Sequence, residues 1–190
     1  MKILLHICCS VCTTGPFQEL SDEGHEVTGY FYNPNIHPLI EYRRRLKSVK
    51  VLQERMPIKV IYDEAYGLTR FLEEVDWRSG ERCRDCYRLR LGQTAEIAAR
   101  QGVDAMTTTL LTSEHQAHEM VAEIGRRCAE ERGIEFLYRD WRHMAEPNRD
   151  RAQDLGLYLQ QYCGCIFSEC DRYKDTGRHL YKGSGPIVGD

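Results

Sequence analysis

Ile3-Leu4-Leu5-His6-Ile7-Cys8-Cys9-Ser10-Val11-Cys12-Thr13-Thr14-Gly15-Pro16 decides the fold. An apolar run of strand length passes into a polar loop and then into a helical pattern, as a buried parallel strand does when it feeds a crossover helix. Residues 3–7 read as the first strand, and Pro16 opens a helix behind Thr13 or Thr14 as cap, with Gly24 near its end. The same alternation continues outward. A second strand is expected over 27–32, and a long helix carries Leu39, Tyr42, Leu46, Val49, Leu52 and Met56 at helical spacing. Further strands are expected over 58–62, 104–110 and 135–138, the last two separated by a helix over 114–132. Between the third and fourth strands the chain reads as irregular at first, with Cys83 and Cys86 at the mouth of a helix. The fold class is therefore α/β, an open parallel sheet with flanking helices.

The 190 residues suit one domain with a core, taken as 1–175, followed by a poorly ordered tail over 176–190 whose end is Gly-rich. Apolar residues at 42% and charged residues at 29% are ordinary for a soluble globular chain, and no stretch has the length of a membrane span. The apolar start is too short for a signal peptide and contains His6, so a cytoplasmic chain is expected. Thiols kept reduced there mean metal or redox chemistry rather than structural disulfides. A net charge of −3 excludes a generally basic surface for nucleic acid but allows a local patch.

Ligands of open parallel sheets collect at the carboxyl ends of the strands. Cys8, Cys9 and Cys12 leave the first strand there, Asn33-Pro34-Asn35-Ile36-His37-Pro38 leaves the second, and Thr107, Thr108 and Thr109 end the fourth. The first loop has glycine only at its end, which argues against the backbone cradle of an ATP site. Seven of the nine cysteines fall in three groups, the third being Cys163-Gly164-Cys165. That exceeds the needs of one tetrahedral zinc and points to an iron–sulfur cluster, with thiols left for a second metal beside it. Cys83-x-x-Cys86 alone fits zinc, a redox disulfide or half a cluster site, but Cys163-x-Cys165 is too close-set for a zinc-ribbon knuckle. Cys128 continues the stripe Ala117, Met120, Val121, Ile124 and reads as a core thiol, while Cys170 reads as inert.

Basic residues cluster twice, as Arg43, Arg44, Arg45, Lys47 and Lys50 on the second helix, and as Arg82, Arg84, Arg88 and Arg90 around the CxxC. Such runs are usually solvated faces, although arginines beside a metal site also suit phosphate contacts. The tyrosines 30, 32, 42, 62, 66 and 87 read first as packing residues and second as stacking surfaces for bases. His115 and Glu119 share a helical face, yet Ser113 as a helix cap with a polar first turn explains this stretch better than a metal does. His118 and Glu119 are more plausible as substrate contacts.

The stretches Leu5-His6-Ile7-Cys8-Cys9, Gly29 to Pro38, Cys83 to Leu91, Thr108-Thr109-Leu110-Leu111, Tyr138-Arg139-Asp140 and Tyr162-Cys163-Gly164-Cys165 resemble the QueH family, cobalamin-independent epoxyqueuosine reductases of queuosine biosynthesis. They cover nearly the whole chain. The resemblance implies a HUP-like (Rossmann-like) domain with metal where a nucleotide would sit. It implies a 4Fe–4S cluster beside a mononuclear iron, drawing on Cys8, Cys9, Cys83, Cys86, Cys163 and Cys165, with the split between the two sites open. Cys12 stands where some relatives carry aspartate and becomes a candidate third ligand to the iron. The implied reaction is two-electron deoxygenation of epoxyqueuosine at the wobble position of tRNA, fed by a donor such as ferredoxin or flavodoxin. Candidate proton donors are His6, His37, His118, Glu119 and Asp140, and candidate tRNA phosphate contacts are Arg43, Arg44, Arg88 and Arg90. The rival readings are an ATP-dependent iron–sulfur tRNA thiolation enzyme, a zinc-stabilised RNA-binding module and a simple electron carrier.

Overall fold

Ile3, Leu4 and Leu5 are fully buried, as successive residues of a strand covered on both faces must be. They belong to β1 (Lys2–His6), the middle of a five-stranded sheet in a computed structural model that describes residues 1–174. The expected tail over 176–190 lies outside the described residues. β1 pairs in parallel with β2 (Glu26–Phe31) on one side and β4 (Ala105–Thr108) on the other. β3 (Lys59–Tyr62) and β5 (Glu135–Phe136) complete the order β3-β2-β1-β4-β5, with every pairing parallel. The sheet is Rossmann-like: the chain winds outward from β1 through β2 to β3, then returns to the other side of β1. The crevice between the ends of β1 and β4 is the point of reversal, where loops diverge and a ligand finds room.

Seven helices flank the sheet among the described residues: α1 (Ser10–Asp22), α2 (Leu39–Arg55), α3 (Leu68–Glu74), α4 (Arg82–Gln101), α5 (His118–Glu130), α6 (Ala145–Asp154) and α7 (Ile166–Tyr173). α5 lies so close to β5 that a Cβ at Gly125 would stand 2.4 Å from the Phe136 ring. Trp141, 1% exposed, ties the segment before α6 to α1 by donating from Nε1 to Glu19 at 2.7 Å. Cys128 sits in the main core, as its stripe indicated.

Besides strand ends that shift by one or two residues, with β5 ending at Phe136 rather than 138, three parts of the sequence reading differ. α1 starts at Ser10 and holds Pro16 in its interior, because the Cys9 thiol accepts from the Cys12 backbone N–H and caps the helix before Thr13 is reached. α5 starts at His118 rather than 114, since residues 109–112 leave β4 as a 3-10 turn and Ser113 Oγ is spent accepting from the His115 backbone. The stretch read as irregular contains α3, whose Phe71 is the buried anchor of a small second core with Val75, Cys86 and Leu89.

Candidate metal centre

β1 and β4 meet in register at His6 and Thr108, and the cysteines follow at once. The Cys8 backbone donates to Thr109 Oγ1 at 2.9 Å, and the same hydroxyl donates back to Cys8 Sγ at 3.1 Å. Cys9 is turned the other way to cap α1, which brings Cys12 round one helical turn to face it. The three thiols lie within 4.8 Å of one another, with Cys8 and Cys9 sulfurs 3.9 Å apart. Two thiolates on one tetrahedral ion with bonds of about 2.3 Å stand roughly 3.8 Å apart, so this spacing suits a single metal ion. Hydrogen bonds from Cys12 and Cys9 hold Cys8 well below the usual thiol range, while burial pushes Cys9 up to about 12.

The other four grouped thiols form a second, wider set. Cys83 and Cys86 occupy the first turn of α4, three residues apart and thus on one face. Cys165 Sγ accepts from the Ser168 backbone at 3.3 Å and caps α7, so the CxC loop ends where that helix begins. Cys165 packs on the small core that contains Cys86. Burial pushes the Cys86 thiol up to about 12, and Cys163 and Cys165 both act electrostatically on Cys86 and on Cys83.

The CxC loop is held from behind by Arg45, which is 2% exposed. Its Nε meets Glu41 Oε1 at 2.7 Å, while Nη1 and Nη2 donate to the carbonyls of Cys163 and Tyr162, each at 2.8 Å. Tyr158 closes the group by donating to Glu41 Oε2 at 2.6 Å, and Tyr162 donates to the His37 carbonyl at 2.6 Å. Gly164 has φ +135°, and a Cβ there would press on Arg45 Nη1 at 3.1 Å, so backbone and anchor both require glycine.

Between the two thiol sets lies Arg90. It is 1% exposed and donates from Nη2 to Asn33 Oδ1 at 2.8 Å. Its charge acts on Cys86, Cys8 and Cys163 together, so it belongs to both sets. Arg90 Nε and Nη1 are buried without a well-formed hydrogen bond, and so are both polar atoms of Asn35 beside Gly164. Buried donors left over next to thiols fit an anionic group held by those thiols, because a neutral apolar filling would leave them unpaired.

A family model described as Epoxyqueuosine reductase QueH matches residues 3–171 of this chain. The epoxyqueuosine reductase QueH of Dehalococcoides mccartyi is 38% identical over 90% of this chain and 94% of its own length. That of Thermotoga maritima is 30% identical over 90% of this chain and 91% of its own length. That of Helicobacter pylori is 33% identical over 97% of this chain and 54% of its own length. The chain belongs to the QueH family. These are oxidoreductases, and no helix among the described residues is long and apolar enough to cross a membrane.

Within this QueH chain, several residues that the sequence singled out lie elsewhere than expected. Arg90 is not available to tRNA phosphate, because it is buried between the thiol sets. Arg43, Arg44 and Arg88 are exposed; Arg88 pairs with Asp85 at 3.4 Å, and Arg44 lies over the Tyr158 ring. His6 is an unsuitable proton donor. Its Nε2 donates to the Tyr32 carbonyl at 3.2 Å, its Nδ1 accepts from Thr108 at 2.8 Å, and burial pulls its pKa down to about 3. His37 is 2% exposed with its ring edge-on to Phe71, and burial favours its neutral form. His118 is buried with Nε2 at 3.2 Å from the Ser113 carbonyl, and Glu119 is exposed beside it. Asp140 is exposed and clasped by Arg142, whose hydrogen bonds hold the carboxyl well below the usual range. Tyr30, Tyr32, Tyr42 and Tyr87 are buried, so they pack rather than stack on bases. Cys170 is exposed on α7.

Sequence reasoning missed the anchoring role of Arg45 and the inward position of Arg90. The second was legible: Cys86 and Arg90 are four residues apart on one helix, so an inward Cys86 takes Arg90 with it.

Proposed function

We propose that this chain reduces epoxyqueuosine to queuosine in tRNA, with Cys8, Cys9 and Cys12 holding a single iron and Cys83, Cys86, Cys163 and Cys165 holding a 4Fe–4S cluster. The observation that carries this reading is the pair of thiol sets on either side of one buried arginine. Cys8 and Cys9 have the spacing of ligands to one ion, whereas the other four thiols are not drawn together so tightly, as a bulkier group requires. In the reaction two electrons and two protons enter, both carbon–oxygen bonds of the epoxide break, a carbon–carbon double bond forms and the oxygen leaves as water. When bound, the cluster supplies single electrons and the iron a Lewis acid.

The protein's own residues do the rest. Thr109 fixes Cys8 from two directions, and Arg45 fixes the backbone of the CxC loop. Arg90 keeps a positive charge among the thiolates, which offsets their mutual repulsion in a buried place. Of the proton-donor candidates, His37 and His118 are buried and Asp140 is locked to Arg142, whereas Glu114 and His115 line open space next to Cys12. The donor of electrons is a small one-electron carrier of the ferredoxin or flavodoxin kind.

The test uses protein purified without oxygen, a chemical reductant and tRNA containing epoxyqueuosine. Mass spectrometry of the digested tRNA is expected to show the nucleoside lacking one oxygen. Protein loaded with iron and sulfide that leaves the epoxide untouched would sink the reading, and stoichiometric zinc without sulfide would sink its metal part.

Arg43 and Arg44, exposed on the outer side of α2, are proposed to contact tRNA phosphates. Replacing both with alanine is expected to weaken tRNA binding and to lower the log–log salt slope by about one per arginine. An unchanged slope assigns the phosphate contacts to another surface.

A further inference from the structure

Among the described residues two arginines are buried, Arg45 and Arg90, and they are held in opposite ways. Arg45 has a carboxylate, Glu41 Oε1, at 2.7 Å. Arg90 has none. Its Nη2 donates to the neutral amide of Asn33 at 2.8 Å, and its Nε and Nη1 are buried without a well-formed hydrogen bond. A guanidinium does not shed its proton to escape the cost of burial. A buried cation of this kind needs an anion close by, or it costs the fold several kcal/mol.

The position of Arg90 says which anion that is. It lies on α4 one turn after Cys86 and on the same face. Asn33, itself 1% exposed, donates from Nδ2 to the carbonyl of Ile7, the residue before Cys8, at 2.8 Å. One amide therefore ties the guanidinium to the end of β1, where the first thiol group begins. The groups whose charge acts most on Arg90 are Cys86, Cys8 and Cys163, in that order. Thiolates are the anions within its reach, and a bound metal is what keeps buried thiols deprotonated.

We infer that Arg90 is the fixed counter-charge that raises the reduction potential of the group held by Cys83, Cys86, Cys163 and Cys165, and that Asn33 is the positioning residue that aims it. The inference rests on the reductase reading above. An electron entering a cluster adds one negative charge and makes or breaks no bond. A positive charge beside the cluster favours the reduced form over the oxidised one, and burial strengthens the effect. Asn33 supplies the aim because it is neutral: it holds the guanidinium by one hydrogen bond without cancelling its charge.

The experiment is a titration of the reconstituted full chain with dithionite and mediator dyes, without oxygen, followed by electron paramagnetic resonance of the reduced cluster. Arg90→Met removes the charge at similar length. It is expected to shift the reduction equilibrium about tenfold or more toward the oxidised form, a potential lower by about 59 mV or more, with iron and sulfide content unchanged. Arg90→Lys keeps the charge and is expected to recover most of that shift. Asn33→Asp keeps Arg90 but sets a carboxylate against it, and is expected to lower the potential in the same direction. Asn33→Asp and Arg90→Lys decide the matter if Arg90→Met takes up no cluster. Variants with the wild-type potential overturn the inference and leave the reductase reading standing. A lysine variant as low as Arg90→Met assigns the effect to hydrogen-bond geometry rather than charge and overturns it too. A wild type that holds no sulfide overturns the metal part of the reading, and the inference with it.

Discussion

Cys86→Ser is expected to leave about one iron and no acid-labile sulfide per chain, where wild type is expected to hold about five iron and four sulfide. Cys9→Ser is expected to leave the sulfide and remove only about one iron. Both changes should reduce epoxide conversion to background. The physical reason is that each thiol serves one set in the proposed division of ligands. Cys86 is buried in the small core against which the partly buried Cys165 packs, and Cys9 is turned toward Cys8 and Cys12 by its capping bond at the start of α1. Serine keeps the size of the side chain but gives up the soft thiolate that iron prefers. Iron and sulfide counts on protein reconstituted without oxygen make the comparison. Loss of all sulfide from Cys9→Ser would mean that the first loop contributes to the cluster, and the proposed division of ligands would fall.

Arg45→Met should lower stability by about 3–5 kcal/mol, because it leaves Glu41, 4% exposed, as a buried carboxylate without its cation. For a chain of this size that corresponds to a melting midpoint lower by roughly 6–20 °C. The same change frees the carbonyls of Tyr162 and Cys163, so iron of the proposed cluster should be lost before the iron proposed for the trio. Arg45→Lys is not expected to restore it. A single ammonium cannot reach Glu41, Cys163 and Tyr162 in the three directions that the guanidinium spans. A variant that melts with wild type and takes up the full complement of iron would show that the CxC loop keeps its shape without this anchor.

Arg45 also shows how much was legible in the sequence. Arg43, Arg44 and Arg45 are consecutive and chemically identical, so composition reads all of them as one basic patch. On a helix each successive residue turns by about 100°, and only the third points under the CxC loop. Which one does so depends on where α2 rests, and that is settled by the packing of Tyr42, Val49 and Leu52 rather than by the arginines. Arg90 is a different case, because its spacing from Cys86 fixed its direction once the cysteine was taken as inward.

The sequence by itself determined the alternation of strands and helices, the placing of the first cysteines at the carboxyl end of β1, and the three local thiol spacings. These follow from short-range rules: side-chain period, loop chemistry and the reach of a few residues. The tertiary structure decided which thiol group faces which, that Arg90 lies between them, and that Arg45 holds the third group in place. Those relations are made by the strand order β3-β2-β1-β4-β5, which brings residues 8, 86 and 163 to one crevice. Contacts across such distances arise from burying one common core, and no stretch of the chain records them alone.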